Sequence, residues 1–132
     1  MRKRRTVWDM NEMGLYFYSR EAYDLAIGEF KRALKASLFP VAALHVNLAA
    51  AYLGQKRYAE ARAQLAKGLA IEPCNQKAHW LLAQTLKAAG AVAEARAELE
   101  RVWKINPESP EGRQASEALR ALPESMTPGE RC

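Results

Sequence analysis

The stretch "RYAEARAQLAKGLAIEP" at residues 57–73 is nearly repeated as "AVAEARAELERVWKINP" at residues 91–107. The two segments are 34 residues apart, and both place alanine and leucine at helical spacing before a closing proline. A weaker copy, "AYDLAIGEFKRALKASL", occupies residues 22–38, which begins 35 residues before the first of them. Self-similarity at a period of about 20 to 50 residues is typical of repeat architectures. The sequence therefore predicts three repeated helical units.

Each unit also begins with a helical stretch of its own. In the second unit, apolar or bulky residues recur at i, i+3, i+4 and i+7, and these are His45, Leu48, Ala49 and Tyr52. The short segments "YSRE", "GQKR" and "AAGA" separate the two halves, which favours antiparallel helix pairs. Small residues recur where the paired helices would approach to about 8–10 Å. They are Gly14, Ala49 and Ala83 in the first helices, and Ala26, Ala61 and Ala95 in the second.

These residues resemble the pattern of the tetratricopeptide repeat family. A small residue is followed three positions on by a large one, as in Gly14 with Phe17, and two units close with "IEP" and "INP". The resemblance implies an all-α fold, a right-handed α-solenoid of three helix-turn-helix units at about 7–40, 42–75 and 76–109. Leu38 departs from it, because the other two units have proline there.

The segments outside the repeats complete the expected domain organisation. Residues 1–6 form a basic arm, residues 7–122 a single domain, and residues 123–132 a flexible tail. A solenoid needs a terminal cap with a polar outer side, and the amphipathic segment 109–122 supplies a capping helix. In it, Ser109 is suited to the N-cap and Pro110 to the first helical position. Thr6 and Asp9 make a capping-box-like start to the first helix.

The net charge of +5 is concentrated in the arm, since Arg2, Lys3, Arg4 and Arg5 supply four of those charges. Such an arm can contact nucleic acid or an acidic membrane surface. The rest of the chain is nearly neutral and lacks the basic face of a nucleic-acid-binding domain, so a solvated arm is favoured and nucleic acid is not an expected partner.

Acidic residues follow the arm closely. Asp9 and Glu12 interrupt the apolar run of about 7–15 residues that a secretory signal requires. No later stretch approaches the roughly 20 apolar residues of a membrane-spanning helix. A cytoplasmic location and no membrane span are therefore expected.

The sequence contains no recognised catalytic motif, so no enzyme activity, cofactor or small-molecule substrate is predicted. His45 and His79 occupy equivalent positions, but a zinc site would need two further ligands, and both are interpreted as packing residues rather than a metal site. Cys74 and Cys132 lack metal-binding spacing and are expected to be unpaired thiols in a reducing compartment.

The resemblance implies that the first helices line a concave groove, which binds a peptide or a helix of another protein. Residues off the packing stripe of these helices are more apolar than a solvated face should be. The predicted peptide-binding residues are Trp8, Asn11, Leu15, Tyr18, Val46, Asn47, Leu53, Lys77, Trp80, Leu81, Gln84 and Lys87.

Different roles are expected within this set. Trp8 and Trp80 are the expected anchors, because buried aromatic residues carry much of the energy of an interface. The amides would bond the partner's backbone, and the lysines would attract acidic residues. Val46 and Leu81 are equally consistent with packing between repeats.

One subclass of the family clamps the C-terminal carboxylates of a peptide, and this chain resembles it only in part. Asn47 and Lys77 match the clamp, whereas Asn11, Leu15 and Leu81 replace its remaining lysine, amide and arginine. Two of five positions are too few to neutralise two carboxylates, so no clamp activity is predicted.

The sequence thus predicts a non-catalytic scaffold or adaptor that binds another protein in an apolar groove. The alternative is a structural module that forms homo-oligomers through the ends of the solenoid. Contact with nucleic acid through the arm is the less favoured third possibility.

Overall fold

The computed structural model describes residues 4–121 and contains no strand within that range. Seven helices account for most of these residues, and the predicted all-α helical-repeat fold is confirmed. The helices are α1 (Val7–Ser19), α2 (Tyr23–Ala36), α3 (Ala42–Gly54), α4 (Tyr58–Ile71), α5 (Gln76–Ala88), α6 (Val92–Ile105) and α7 (Pro110–Arg120).

The chain divides into two compact units, Met1–Ile71 (unit 1) and Glu72–Cys132 (unit 2). Unit 1 holds α1 to α4, and unit 2 holds α5 to α7. Among residues 4–121, no helix has the length and apolar character needed to cross a membrane.

Unit 1 is built from two helix pairs, in which α1 packs on α2, α3 packs on both α2 and α4, and α1 also touches α3. Its core centres on Phe30, which is fully buried. A Cβ added to Gly14 would overlap the Phe30 ring, so the glycine lets α1 approach α2 closely. The other buried members of this core are Ala26, Ile27, Leu48, Ala51, Tyr52 and Ala61.

Unit 2 has one helix pair, α5 with α6, and α7 packs mainly on α6. The core between them contains Ala83, Leu99, Val102, Ala115 and Leu119. The Ser109 hydroxyl accepts a hydrogen bond from the Gly112 amide at 2.9 Å, and Pro110 fills the first helical position. The end of the predicted capping helix, at Leu122, lies outside the described residues, as do the predicted tail and residues 1–3 of the arm.

A reciprocal cap starts α1. The Thr6 hydroxyl accepts from the Asp9 amide at 3.1 Å, while Asp9 Oδ2 accepts from the Thr6 amide at 2.8 Å. An aspartate thus completes a capping box that more often uses glutamate.

The turn inside each repeat has the same backbone shape. Glu21, Lys56 and Gly90 occupy equivalent positions and all have positive φ, at 59°, 60° and 80°. In each turn the next amide donates to a carbonyl of the first helix at 2.9 Å, as in Ala22 to Phe17. Only glycine adopts this left-handed conformation freely, because a Cβ there costs about 1–2 kcal/mol.

The cysteine prediction is wrong for Cys74, which is disulfide-bonded rather than a free thiol. Sequence spacing could not reveal this, because distance along the chain does not report distance in space. The other cysteine, Cys132, lies outside the described residues.

Candidate functional site

Aromatic and leucine side chains are exposed on α1 of unit 1. Trp8 is 57% exposed, Leu15 39% and Tyr18 37%. Trp8 and Leu15 are seven residues apart, about two turns, and therefore lie on one side of the helix. The Tyr18 ring meets the Tyr23 ring edge to face at 5.7 Å, and partial burial, with a smaller effect of Tyr23, raises the pKa of Tyr18. Trp8, Leu15 and Tyr18 thus form an apolar surface on α1, and Tyr23 of α2 contacts its Tyr18 end.

Trp8 also borders a cleft of about 270 Å³ between the start of α1 and the α2–α3 connection. Leu38 and Phe39 in that connection are 89% and 76% exposed, although both are large and apolar. The Ser37 hydroxyl donates to the Phe39 carbonyl at 2.6 Å and so fixes the bend. The remaining lining residues are Val7, Ala36 and Val41. Sequence reasoning missed Leu38 and Phe39, although Leu38, which stands where the other two repeats have proline, was a signal.

Asn11 and Asn47, predicted to bond a partner's backbone, are buried and bond each other. Asn47 Nδ2 donates to Asn11 Oδ1 at 2.8 Å, and the two residues are 8% and 9% exposed respectively. Because the bond joins α1 to α3, these amides hold the two first helices of unit 1 together.

The other predicted residues of α3 also face inward. Val46 is 2% exposed, and its Cγ2 lies 3.2 Å from the place of a Cβ added to Gly68 on α4. Leu53 is half-buried against the core of unit 1. Val46 is therefore buried, with its Cγ2 close to α4 of its own repeat, and only part of the Leu53 side chain is accessible to a partner.

In unit 2, the predicted residues of α5 vary in exposure. Lys77 and Lys87 are exposed, Trp80 and Gln84 are half-buried, and Leu81 is buried. Trp80 packs against the core that α7 helps to close, so its ring supports unit 2 as well as reaching the surface. Leu81 is buried and therefore does not offer its side chain to a partner.

A buried carboxylate occupies the same repeat position in α2 and α6. Glu29 accepts from Arg5 Nη2 at 2.6 Å and from Arg32 at 3.0 Å. Arg5 Nη1 also lies 3.3 Å from the second Glu29 oxygen, and this bonding raises the pKa of Arg5. Arg5 of the predicted solvated arm is exposed and also pairs with Glu29. A buried carboxylate needs a cation, and the arm supplies one.

The equivalent carboxylate in unit 2, Glu98, bonds a histidine. Its two oxygens contact His79 Nδ1 at 2.6 Å and Arg101 Nη1 at 2.7 Å. His79 Nε2 meets the Pro73 carbonyl at 2.8 Å, so both ring nitrogens face acceptors, an arrangement that favours the imidazolium, in which both nitrogens donate. Burial alone would lower the pKa of His79, but these two hydrogen bonds outweigh burial and raise it above 6.5.

The second repeat has a neutral version of that contact, in which His45 Nδ1 meets Gln64 Oε1 at 2.8 Å. Both histidines thus join the two helices of their own repeat. Within residues 4–121 no group of three or more His, Cys, Asp or Glu side chains could hold a metal ion.

Comparison with known proteins gives a family match. The tetratricopeptide repeat family model matches residues 52–122, more than half of the chain. None of the proteins with curated functions is significantly similar to it in sequence.

Several solved structures share the fold. The TPR domain of Arabidopsis OM64 superposes with a TM-score of 0.79 at 22% identity, covering 88% of this chain and 95% of that one. The first TPR of Spaghetti (RPAP3), bound to the HSP90 peptide SRMEEVD, gives 0.74 at 25% identity, with 87% and 94% covered. The Yersinia enterocolitica type III secretion translocator chaperone SycD gives 0.81 at 18% identity, with 90% and 92% covered.

Proposed function

Because the chain belongs to the tetratricopeptide repeat family, we propose that it is a non-catalytic scaffold or adaptor that binds a peptide or helix of a partner protein. The observation that carries the proposal is the exposure of Trp8, Leu15 and Tyr18 on α1. A contiguous apolar surface of this kind is typical of partner sites. The similar RPAP3 domain, bound to an HSP90 peptide, supports the same class of function.

The cleft beside Trp8 is the proposed anchor point in unit 1. An apolar side chain of the partner enters between Trp8, Leu38 and Phe39, and the rest of its segment lies along Leu15 and Tyr18. Central aromatic residues usually carry a large share of binding energy, because their large area loses water on contact. Leu53 adds the exposed part of its side chain.

We assign the α5 face of unit 2 a separate, more polar contact. Lys77, Trp80, Gln84 and Lys87 follow one another at spacings of three and four residues, so they lie on one side of the helix. The lysines favour acidic partner residues, and Gln84 bonds backbone groups of the partner. Asn11, Asn47, Val46 and Leu81 contribute by positioning the helices that carry these contacts.

The partner is recognised through apolar residues rather than through C-terminal carboxylates. Of the clamp residues the chain has only Asn47 and Lys77, and Asn47 already donates to Asn11. A partner peptide with an amidated C-terminus should therefore bind within about twofold of the free acid. A loss of more than about tenfold on amidation, or 1.4 kcal/mol, would contradict this assignment.

We also propose that the protein acts in the cytoplasm. Disulfides are rare in reducing compartments, so the bonded state of Cys74 gives a direct test. The structure has Cys74 disulfide-bonded, whereas a cytoplasmic location requires that thiol labelling in freshly lysed cells find Cys74 reduced. A cysteine protected from labelling would place the protein in an oxidising compartment.

The experiment is affinity capture of partners, followed by binding measurements on three variants. Trp8→Ala should weaken binding at least tenfold, since truncation of a central aromatic anchor typically costs about 2 kcal/mol or more. Phe39→Ala should weaken it less. Leu25→Ala is the matched control, because Leu25 is 56% exposed on α2 and does not line the cleft.

Circular dichroism should show all three variants folded, because each removed side chain is exposed. If Trp8→Ala and Phe39→Ala bind the captured partner like the control, the apolar surface of unit 1 is not the site.

A further inference from the structure

The first helices of the two repeats in unit 1 carry corresponding side-chain stripes. On α3 the stripe is Leu44, Leu48, Ala51 and Gln55, and its three apolar members are at most 1% exposed. Leu48 and Ala51 share a core with residues of α2, and the Gln55 amide donates to Asp24 of that helix. This stripe is therefore the surface by which one repeat packs on the preceding one.

The equivalent stripe on α1, 35 residues earlier, is uncovered. It consists of Asp9, Met13, Tyr16 and Arg20. Met13 and Tyr16 are 42% and 51% exposed, and with neighbouring residues they border an open cleft of about 460 Å³. Within the described part of unit 1, α1 contacts only α2 and α3, and neither covers this side. Among the described helices of unit 1, none therefore packs on this side of α1, and Arg5 of the arm borders the cleft.

The stripe is complementary to itself in an antiparallel arrangement. Residues 13 and 16 lie symmetrically about a point between residues 14 and 15, and so do residues 9 and 20. A two-fold axis at that point brings Met13 opposite Tyr16 of a second copy and Asp9 opposite Arg20 of that copy. Opposite charges then meet at both ends, and a sulfur–aromatic contact forms on each side of the axis.

Local contacts already direct two of these side chains. The Arg20 guanidinium lies 5.3 Å from the centre of the Tyr16 ring, which holds the cation at the edge of the stripe. Asp9 is oriented by its hydrogen bond from the Thr6 amide at 2.8 Å. A carboxylate can accept several hydrogen bonds, so this cap is compatible with a second partner.

We propose that two copies of this chain associate through α1, antiparallel about a two-fold axis, with Met13 and Tyr16 at the centre and Asp9–Arg20 pairs at both ends. Such a contact is isologous and closes after two copies. It uses a different side of α1 from Trp8 and Leu15, so it is independent of the proposed partner binding.

The size of the contact sets the expected affinity. One helix of 13 residues on each copy buries less than the standard interface of about 1,600 Å². We therefore expect a reversible dimer with a dissociation constant of about 1–100 µM, at the weak end of specific association. Sedimentation velocity from about 1 to 500 µM spans that range and should show a monomer–dimer equilibrium.

Charge reversal tests the pairing itself. Arg20→Glu places a glutamate opposite Asp9, and Asp9→Lys places a lysine opposite Arg20, so each variant alone should dimerise at least tenfold more weakly. A one-to-one mixture of the two variants restores opposite charges at both ends, so a heterodimer should form near the wild-type affinity. Tyr16→Asp should abolish association in every combination.

Two controls separate association from folding. Asp9→Asn keeps a capping side chain while removing the charge, and circular dichroism reports whether α1 remains helical in each variant. Leu25→Ala again serves as an exposed apolar substitution outside the stripe, and it should dimerise like the wild type.

Several results would overturn the proposal. They are a monomer at every concentration, a dimer insensitive to Arg20→Glu, and a mixture that fails to restore association. A monomer whose Tyr16 resists chemical iodination would also overturn it, because another segment of the chain would then cover the stripe.

Discussion

Unit 1 and unit 2 use the same helical repeat, yet they treat their tryptophans differently. Trp8 stands 57% exposed at the start of α1, whereas Trp80 packs against the core that α7 completes. The repeat places each residue on its helix, but the neighbouring element decides whether that residue is surface or core. We therefore expect the two tryptophans to differ in role. Trp8 should contribute mainly to binding, and Trp80 mainly to stability.

Their buried carboxylates show the same contrast. Glu29 is paired with an arginine from outside the helices, while Glu98 is paired with a histidine from within its own repeat. Each carboxylate also has an arginine three residues on, in Arg32 and Arg101. Equivalent positions thus impose the same need for a cation, and each unit satisfies it from a different source.

The largest expected effect is on stability in unit 2. Trp80→Ala should lower the free energy of unfolding by about 2–3 kcal/mol, somewhat less than for a fully buried tryptophan. Trp8→Ala should change it by less than about 0.5 kcal/mol, as for other surface substitutions. Urea denaturation followed by circular dichroism measures both values, and equal losses would remove the contrast between the tryptophans.

The amide pair of unit 1 comes next. Asn47→Leu installs the type of residue that the third repeat has at Leu81, and it leaves the Asn11 amide buried without its partner. We expect a loss of about 1–3 kcal/mol in the free energy of unfolding. The double substitution Asn11→Leu with Asn47→Leu should cost less than the two single losses added together. Strict additivity in this cycle would show that the bond does not couple α1 to α3.

The effect of pH on the stability of unit 2 should be smaller than these mutational losses, and it should arise from His79. Because the folded-state pKa of His79 is raised above 6.5, its stabilisation is complete below that value. It is lost as the pH rises through the higher folded-state pKa. The urea midpoint should therefore be higher at about pH 6 than at about pH 8.

Glu98→Gln is the matched variant, because it installs the amide that the second repeat has at Gln64. It removes the charge that favours the imidazolium, so the urea midpoints at the two pH values should become more similar. An unchanged difference would assign the pH dependence to other groups.

The arm contact should give the smallest loss. Arg5→Ala removes one of two cations from Glu29, and Arg32 remains on the carboxylate. The midpoint of thermal unfolding should fall more than in Arg4→Ala, the control from the same exposed arm. The difference between these variants should shrink as salt is added, since exposed charges are screened. Identical midpoints at low salt would mean that the arm does not stabilise α2.

The helical repeat fold could be predicted because the residue pattern within each helix determines which face packs. Alanine and leucine at fixed spacing report which face of each helix is buried, and the 34-residue period reports how often the pattern recurs. The exposed surface at Trp8, Leu15 and Tyr18 followed from the same periodicity. It consists of the large side chains that the packing stripe of α1 did not use.

The remaining features depend on contacts between distant residues, which periodicity does not encode. Asn11 and Asn47 are 36 residues apart, and Arg5 and Glu29 are 24 apart. The connection at Leu38 and Phe39 lies outside the helical pattern altogether. Comparing the repeats position by position would have revealed the uncovered stripe at Met13 and Tyr16, because the equivalent residues in α3 are Leu48 and Ala51.

The turns inside the repeats have a practical consequence for engineering this protein. Glu21 and Lys56 hold the left-handed conformation that Gly90 adopts in the third repeat. Replacing either with glycine relieves a steric strain of about 1–2 kcal/mol and adds an entropic cost of roughly half that size to folding. Neither position belongs to a surface that we propose for binding. A background carrying both glycines should therefore tolerate destabilising surface variants, and would let each proposed interface be mapped more densely.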